Sequence, residues 1–224
     1  MATQPAKSQA LDVAPVSLTL MPGQRTASIN ITNRGEQKTS IQTRPFVWDQ
    51  QDASDRLSPT KSLAISPPLF ELGPGETQLV RLVLRAPVSM TEGTYRLLLD
   101  QVPGPATAGT IRVALRISLP VFVRPAEGAA PVLSWRVERK GSEVKLVCQN
   151  GGARHAHITH MTIGDVPPGV TLAQQSTSYV LAGALQHWTI KDPSGSLRTG
   201  ANVRVAADTD EGRVDATAAV IQAP

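Results

Sequence analysis

The 224-residue sequence has little of what usually signals a particular chemistry. Its one cysteine, Cys148, has no second cysteine with which to form an internal disulfide. It sits in VKLVCQN, where it reads as a small buried hydrophobe. Three Trp, two Tyr and three Phe are the only aromatic residues, so any core must be built mainly from Val, Leu, Ile and Ala. No stretch reaches 18 consecutive apolar residues, which leaves no candidate membrane-spanning helix. The opening MATQPAKSQALDVAP lacks an apolar h-region, so no secretion leader is visible in it. Charge of one sign is never concentrated. The net charge of +4 comes from scattered Lys and Arg, without the basic run and interleaved aromatics of a nucleic-acid surface. Such a scatter suits a protein partner or a carboxylate.

Signals for catalysis and metal binding are also missing. No serine stands in a G-x-S-x-G elbow, and NGGARH (150–155) follows a strand pattern without opening a helix. HAHITH places His155 and His157 on one face of a strand and His160 on the other, with no carboxylate or cysteine nearby in sequence to complete a metal set. Solvated strand histidines are the simpler reading. His187, beside Trp188, reads as structural, and Asp165 and Asp192 lie in turn sequences, GDVPPG and KDPSG. The chain therefore reads as a non-enzyme with no cofactor and no metal.

What the sequence does have is alternation. VSLTL (16–20), TASINIT (26–32), TSIQTRPFVW (39–48), ETQLVRLVLR (76–85), GTYRLLLDQV (93–102) and residues 110–123 all show period-two or short apolar runs. DQQDASDR (49–56) reads as a polar loop. SLAISPPLFEL (62–72) reads as an irregular or edge segment, because proline cannot donate to a ladder. RPAEGAAPV (124–132) breaks the pattern and marks a boundary. It gives a first domain over 11–125 and a second over 126–224, where the pattern restarts in VLSWRVER, SEVKLVCQN, AHITHMTI, GVTLA, TSYVL, LQHWTI, ANVRVAAD and GRVDATAAVI. No stretch keeps a 3.6-residue apolar period over three turns. The expected fold class is all-β, with two sandwich domains. Their layouts are similar without a fixed-period repeat, and Trp135 is expected beneath the short linker PAEGAA.

The strand TIRVALRISLPVFV (110–123) is long, with Ile111, Val113, Leu115, Ile117 and Leu119 on one face and Arg112 and Arg116 on the other. That aliphatic row either closes the first domain's own core or meets another protein. A long aliphatic edge strand is a template for strand addition.

The string IRVALRISLPVFVRP, followed by a second β domain, resembles the last strand and linker of the first domain in periplasmic pilus chaperones of the PapD-like family. SINITNRGEQKTSIQTRPFVW, LAISPPLFELGPGETQLVRLV, YRLLLDQVP and VCQNGGARHAHITHMTI resemble further family segments in the same order, over about 11 to 221. The resemblance implies two immunoglobulin-like β-sandwich domains in a boomerang arrangement. It also implies a chaperone that lends its last first-domain strand to a pilus subunit and hands the subunit to an outer-membrane usher, in the periplasm. By position, Ile111, Val113, Leu115 and Ile117 would fill the subunit's groove. The free donor edge could also pair with itself. The alternative is a structural or adhesive surface protein of tandem immunoglobulin-like domains.

The sequence departs from the family in two respects, one being that its second domain lacks the paired cysteines some members carry. The two positions that best-known members use to hold the subunit's terminal carboxylate fall near Ser17 and Pro120, and neither is basic. That departure resembles the archaic, spore-coat-U-type branch. A hairpin folded about residue 106 would put Arg96 opposite Arg116, and this pair is the expected carboxylate anchor. Arg112 and Arg124 are the next candidates.

Overall fold

The computed structural model describes residues 11–87, 89–103, 114–125, 128–173 and 178–223. All of its regular structure is β, in two compact units. The first holds residues up to Trp48, Leu57–Ser89 and Gly93–Arg124. The second holds Asp49–Arg56, Met90–Glu92 and everything from Pro125 on.

The first unit's strands are β1 (Leu11–Ala14), β2 (Leu18–Leu20), β3 (Thr26–Asn33), β4 (Thr39–Gln51), β5 (Ser54–Pro59), β6 (Leu63–Ser66), β7 (Leu69–Leu72), β8 (Thr77–Leu84), β9 (Gly93–Val102) and β10 (Arg116–Val123), with β4 and β5 running on into the 49–56 segment. They form a four-stranded sheet, β1-β3-β8-β6, and a second sheet, β2-β10-β9-β4-β5, with β7 paired to β4. The inward residues of both enclose one aliphatic core that includes Leu20, Ile29, Ile31, Ile41, Leu82, Leu97 and Val121, as expected of a sandwich. Prolines mark two of the places where the chain changes sheet. Pro15 separates β1 from β2, and Pro67-Pro68 separates β6 from β7. A residue without an N–H ends one ladder, and the next strand joins the other. The 62–72 segment is thus two short strands in different sheets. The stretch 49–56, expected as a loop, is the tip of the β4–β5 hairpin, turned by Asp52 and Ala53, both at positive φ.

The second unit holds β11 (Leu133–Lys140), β12 (Glu143–Asn150), β13 (Ala156–Gly164), β14 (Thr171–Leu172), β15 (Ser178–Val180), β16 (Leu185–Lys191), β17 (Asn202–Thr209) and β18 (Gly212–Gln222), in the order β14-β16-β12-β11-β18-β17-β13-β15. They surround a core of Val, Ile and Leu around Trp135, Trp188 and Cys148. Trp135 stacks on Trp188 at 6.0 Å within this core. Burial pushes the Cys148 thiol up to about 12, so it stays a protonated hydrophobe. Two strands that alternate cleanly in sequence, β11 and β18, pair in parallel in this sheet.

Candidate functional site

The strand singled out by the sequence divides in two. From Ile117 onwards its odd-numbered residues turn into the first unit's own core. Leu119, Val121 and Val123 are buried, and Ile117 packs against the same cluster while partly exposed. Ile117 therefore belongs to this chain's core, a correction to the expected partner-facing row of four. Leu115, one step earlier on the same face, is 37% exposed. Ile111, Val113 and Arg112 lie outside the described residues.

The edges of β10 differ as well. On one side it pairs antiparallel with β9 along its whole length, Arg116↔Asp100 to Val123↔Gly93. On the other it pairs in parallel with β2, but only at Val121, Phe122 and Val123. Among the described residues, the flank opposite β9 carries no strand from Arg116 to Pro120. Alternate residues of a strand turn N–H and C=O towards each side. Pro120 can offer only its C=O there, and Ser17, at the end of the gap before β2, is exposed.

The root of β10 is held from both faces of the sheet. On the outer face the carboxylate of Asp100, whose side chain is 14% exposed, is shared by two guanidiniums. Arg44 donates through Nη2 at 2.6 Å and Nε at 3.1 Å, and Arg116 donates through Nε. Burial acts to raise the Asp100 carboxyl, but the two arginines outweigh it and leave the group below the usual carboxylate range. On the core side, Gln101 is buried. Its backbone N–H donates to the Leu115 carbonyl at 2.9 Å, and its side-chain Oε1 accepts from the Leu115 N–H at 3.3 Å. Its Nε2 donates to Thr39 Oγ1 at 2.8 Å.

The expected anchor pair is not assembled. The β9–β10 register sets Arg116 opposite Asp100 and Arg96 opposite Pro120, so the two arginines stand four residues apart along the ladder. The observed register is displaced by four positions from that of a hairpin folded about residue 106, which moves every cross-strand partner. Arg96 instead lies over the Trp48 ring at 3.6 Å, a cation–π contact, and Trp48 packs against Phe122 at 6.0 Å. Asp100 and Gln101 had no sequence signal of their own beyond being polar residues inside an aliphatic strand.

The histidines are corrected too. His155 is buried rather than solvated, with Nδ1 2.6 Å from Glu92 and Nε2 3.6 Å from Asp210. Both carboxylates are remote in sequence, which is why HAHITH looked isolated. His157 stacks on Tyr179 at 4.2 Å. Burial, helped by His155 and opposed by Asp210, lowers its pKa. His160 and His187 are exposed. Among the described residues no group of three or more His, Cys, Asp or Glu could hold a metal ion. No helix there is long and apolar enough to cross a membrane.

Known proteins share this architecture. Solved structures with the same fold include a chaperone–tip subunit pre-assembly complex of the archaic chaperone-usher Csu pili of Acinetobacter baumannii, with a TM-score of 0.73 at 19% identity, covering 96% of this chain and 100% of that one. The SafA pilin in complex with the SafB chaperone of Salmonella enterica matches with a TM-score of 0.65 at 16% identity, covering 94% and 97%. The CupB2 chaperone of Pseudomonas aeruginosa matches with a TM-score of 0.60 at 16% identity, covering 93% and 100%. At these identities the likeness is one of fold. No curated protein sequence matches the chain. The family model of the pili and flagellar-assembly chaperones, PapD N-terminal domain, matches residues 10–129, more than half of the sequence, and the chain belongs to that family.

Proposed function

We propose that the chain is a periplasmic chaperone that captures a pilus subunit by strand donation. It lends the segment running into β10 to a subunit short of a strand and then delivers that subunit to an outer-membrane usher. The observation that supports this most directly is the division of β10. Its aliphatic row is spent on the chain's own core from Ile117 onwards, while Leu115 continues the row outside that core. The sequence extends the same row through Val113 and Ile111. The unpaired flank from Arg116 to Pro120 offers main-chain groups beside it. Strand addition draws affinity from such groups and specificity from alternate side chains. Family membership supports the same reading.

The test is co-expression with a strand-deficient pilus subunit, followed by size-exclusion chromatography. A one-to-one complex is expected for the wild type. Leu115→Asp should abolish it, because an unpaired charge in an apolar groove costs several kcal/mol, while circular dichroism and melting of the chaperone alone stay unchanged. An unfolded Leu115→Asp chain would assign Leu115 to the chain's own core and sink the proposal.

A further inference from the structure

The geometry assigns to the neighbouring residues Asp100 and Gln101 a positioning role, as a two-sided latch that fixes the register at which the donor segment leaves the first unit. The inference rests on the donor-strand reading and deepens it.

The argument begins with the pleat. Asp100 and Gln101 are consecutive in β9, so their side chains point to opposite faces of the sheet. Each grips one of two consecutive residues at the root of β10. Asp100 holds the Arg116 side chain on the outer face, and Gln101 holds the Leu115 main chain on the core side. Both grips are themselves braced. Arg44 occupies the second oxygen of Asp100, and Thr39 fixes the Gln101 amide. The braces come from β4, the strand on the far side of β9, so three adjacent strands share the fixture.

The hydrogen bond to the Leu115 N–H is unusual for a ladder. A side-chain oxygen takes the place that a main-chain carbonyl fills in regular antiparallel pairing. The β9–β10 register runs to Arg116↔Asp100, and Gln101 carries the hold one residue further, through its main-chain N–H to the Leu115 carbonyl and its side-chain oxygen to the Leu115 N–H. A one-residue slip would turn Leu115 to the outer face and Arg116 towards the core. It would also set Arg116 against the amide and strip Asp100 of one of its arginines. The latch therefore excludes the slipped register at the last point where this chain can control it. It would do so before any partner arrives, since every group involved belongs to the first unit.

Hydrogen exchange of the free protein tests the latch without a partner. Gln101→Met removes the acceptor and is expected to speed exchange of the Leu115 amide at least tenfold. Asp100→Asn should speed it at least threefold. In both, the Leu97 and Leu119 amides should keep wild-type protection. Should Gln101→Met fail to fold, Thr39→Val replaces it, since it frees the Gln101 amide without removing it. Capture of a strand-deficient pilus subunit is then timed. Both latch variants should slow it at least fivefold when timed at a temperature at which circular dichroism shows each fully folded. Wild-type exchange at Leu115 in the variants would overturn the latch. Faster exchange with unaltered capture would overturn its positioning role. A wild-type protein that captures no subunit would overturn the donor reading and the positioning role with it, a failure that the exchange data tell apart from absence of the latch.

Discussion

The two units end a strand in the same way. In the first, Asn33 closes β3. Its Nδ2 donates to Gln37 O at 2.7 Å and Leu72 O at 3.1 Å, and its Oδ1 accepts from Gly35 N at 2.9 Å. In the second, Asn150 closes β12. Its Nδ2 donates to Arg154 O at 2.6 Å and Val180 O at 3.0 Å, and its Oδ1 accepts from Gly152 N at 2.9 Å. The partners match residue by residue: two and four positions ahead in the chain, then a residue three before a glycine. Those glycines, Gly75 and Gly183, both at positive φ, donate to the asparagine carbonyls. The difference is one bond. Asn150 Oδ1 also accepts from Val132 N at 3.0 Å, which ties the start of the second unit into its corner. Gly152 packs so tightly there that a Cβ would lie 2.2 Å from Ala130 O. The same corner is thus a strand end in one unit and a strand end plus an entry clamp in the other.

The largest expected effect separates the corners by that bond. At roughly 1 kcal/mol per lost hydrogen bond, Asn150→Ala should destabilise its unit by about 4 kcal/mol and Asn33→Ala by about 3 kcal/mol. Denaturant titration followed by amide signals of Leu146 and Ile31 reads the two units separately. Equal losses would mean that the Val132 bond contributes nothing.

The glycines sharpen the contrast. Gly152→Ala forces a Cβ against backbone and should cost about 3 kcal/mol. Gly75→Ala and Gly183→Ala meet no atom within 4 Å. Each should cost only the left-handed penalty of about 1–2 kcal/mol, and by the same amount in both units. Thermal melting of the three variants checks this, and a large gap between Gly75→Ala and Gly183→Ala would break the equivalence.

The smallest effect is acidic. Asp100 in the first unit and Asp192 in the second both titrate below the usual carboxylate range. At Asp192, burial is again outweighed, this time by hydrogen bonds from the Leu197 and Ser196 backbones and the Ser196 hydroxyl, and by Arg139. A lowered folded-state value means stabilisation that is present above the unfolded carboxylate range near 4 and is lost as pH falls through the folded value. Asp100→Asn should flatten the acid limb of the first unit and leave that of the second. Melting between pH 3 and 6 shows whether it does.

The strands were legible because half-buried β structure writes its period into the sequence. The eight second-domain segments correspond to β11–β18 within a few residues, as GRVDATAAVI does to β18. Register was less legible. It depends on where a hairpin closes, and a loop such as PGPATAG fits several closures, so Arg116 was matched to Arg96 rather than to Asp100. Long-range polar pairs left no local trace at all. Nothing around His155 points to Glu92, and the Asn corners, 117 residues apart in sequence, emerge only when their distant carbonyl partners are known. Asn33 and Asn150 both precede a glycine by two, a spacing too common to signal a shared geometry by itself.

The short reach of β2 along β10 also sets one end of the open flank. A strand laid on the open flank has room from Arg116 to Pro120 and then meets the end of β2 at Leu18. Five residues of edge at about 3.3 Å each give roughly 16 Å of track. On the donor reading proposed above, an added chain would have to turn away there. The end of β2 would thus set the alignment of such a chain on β10 as well as its extent in that direction.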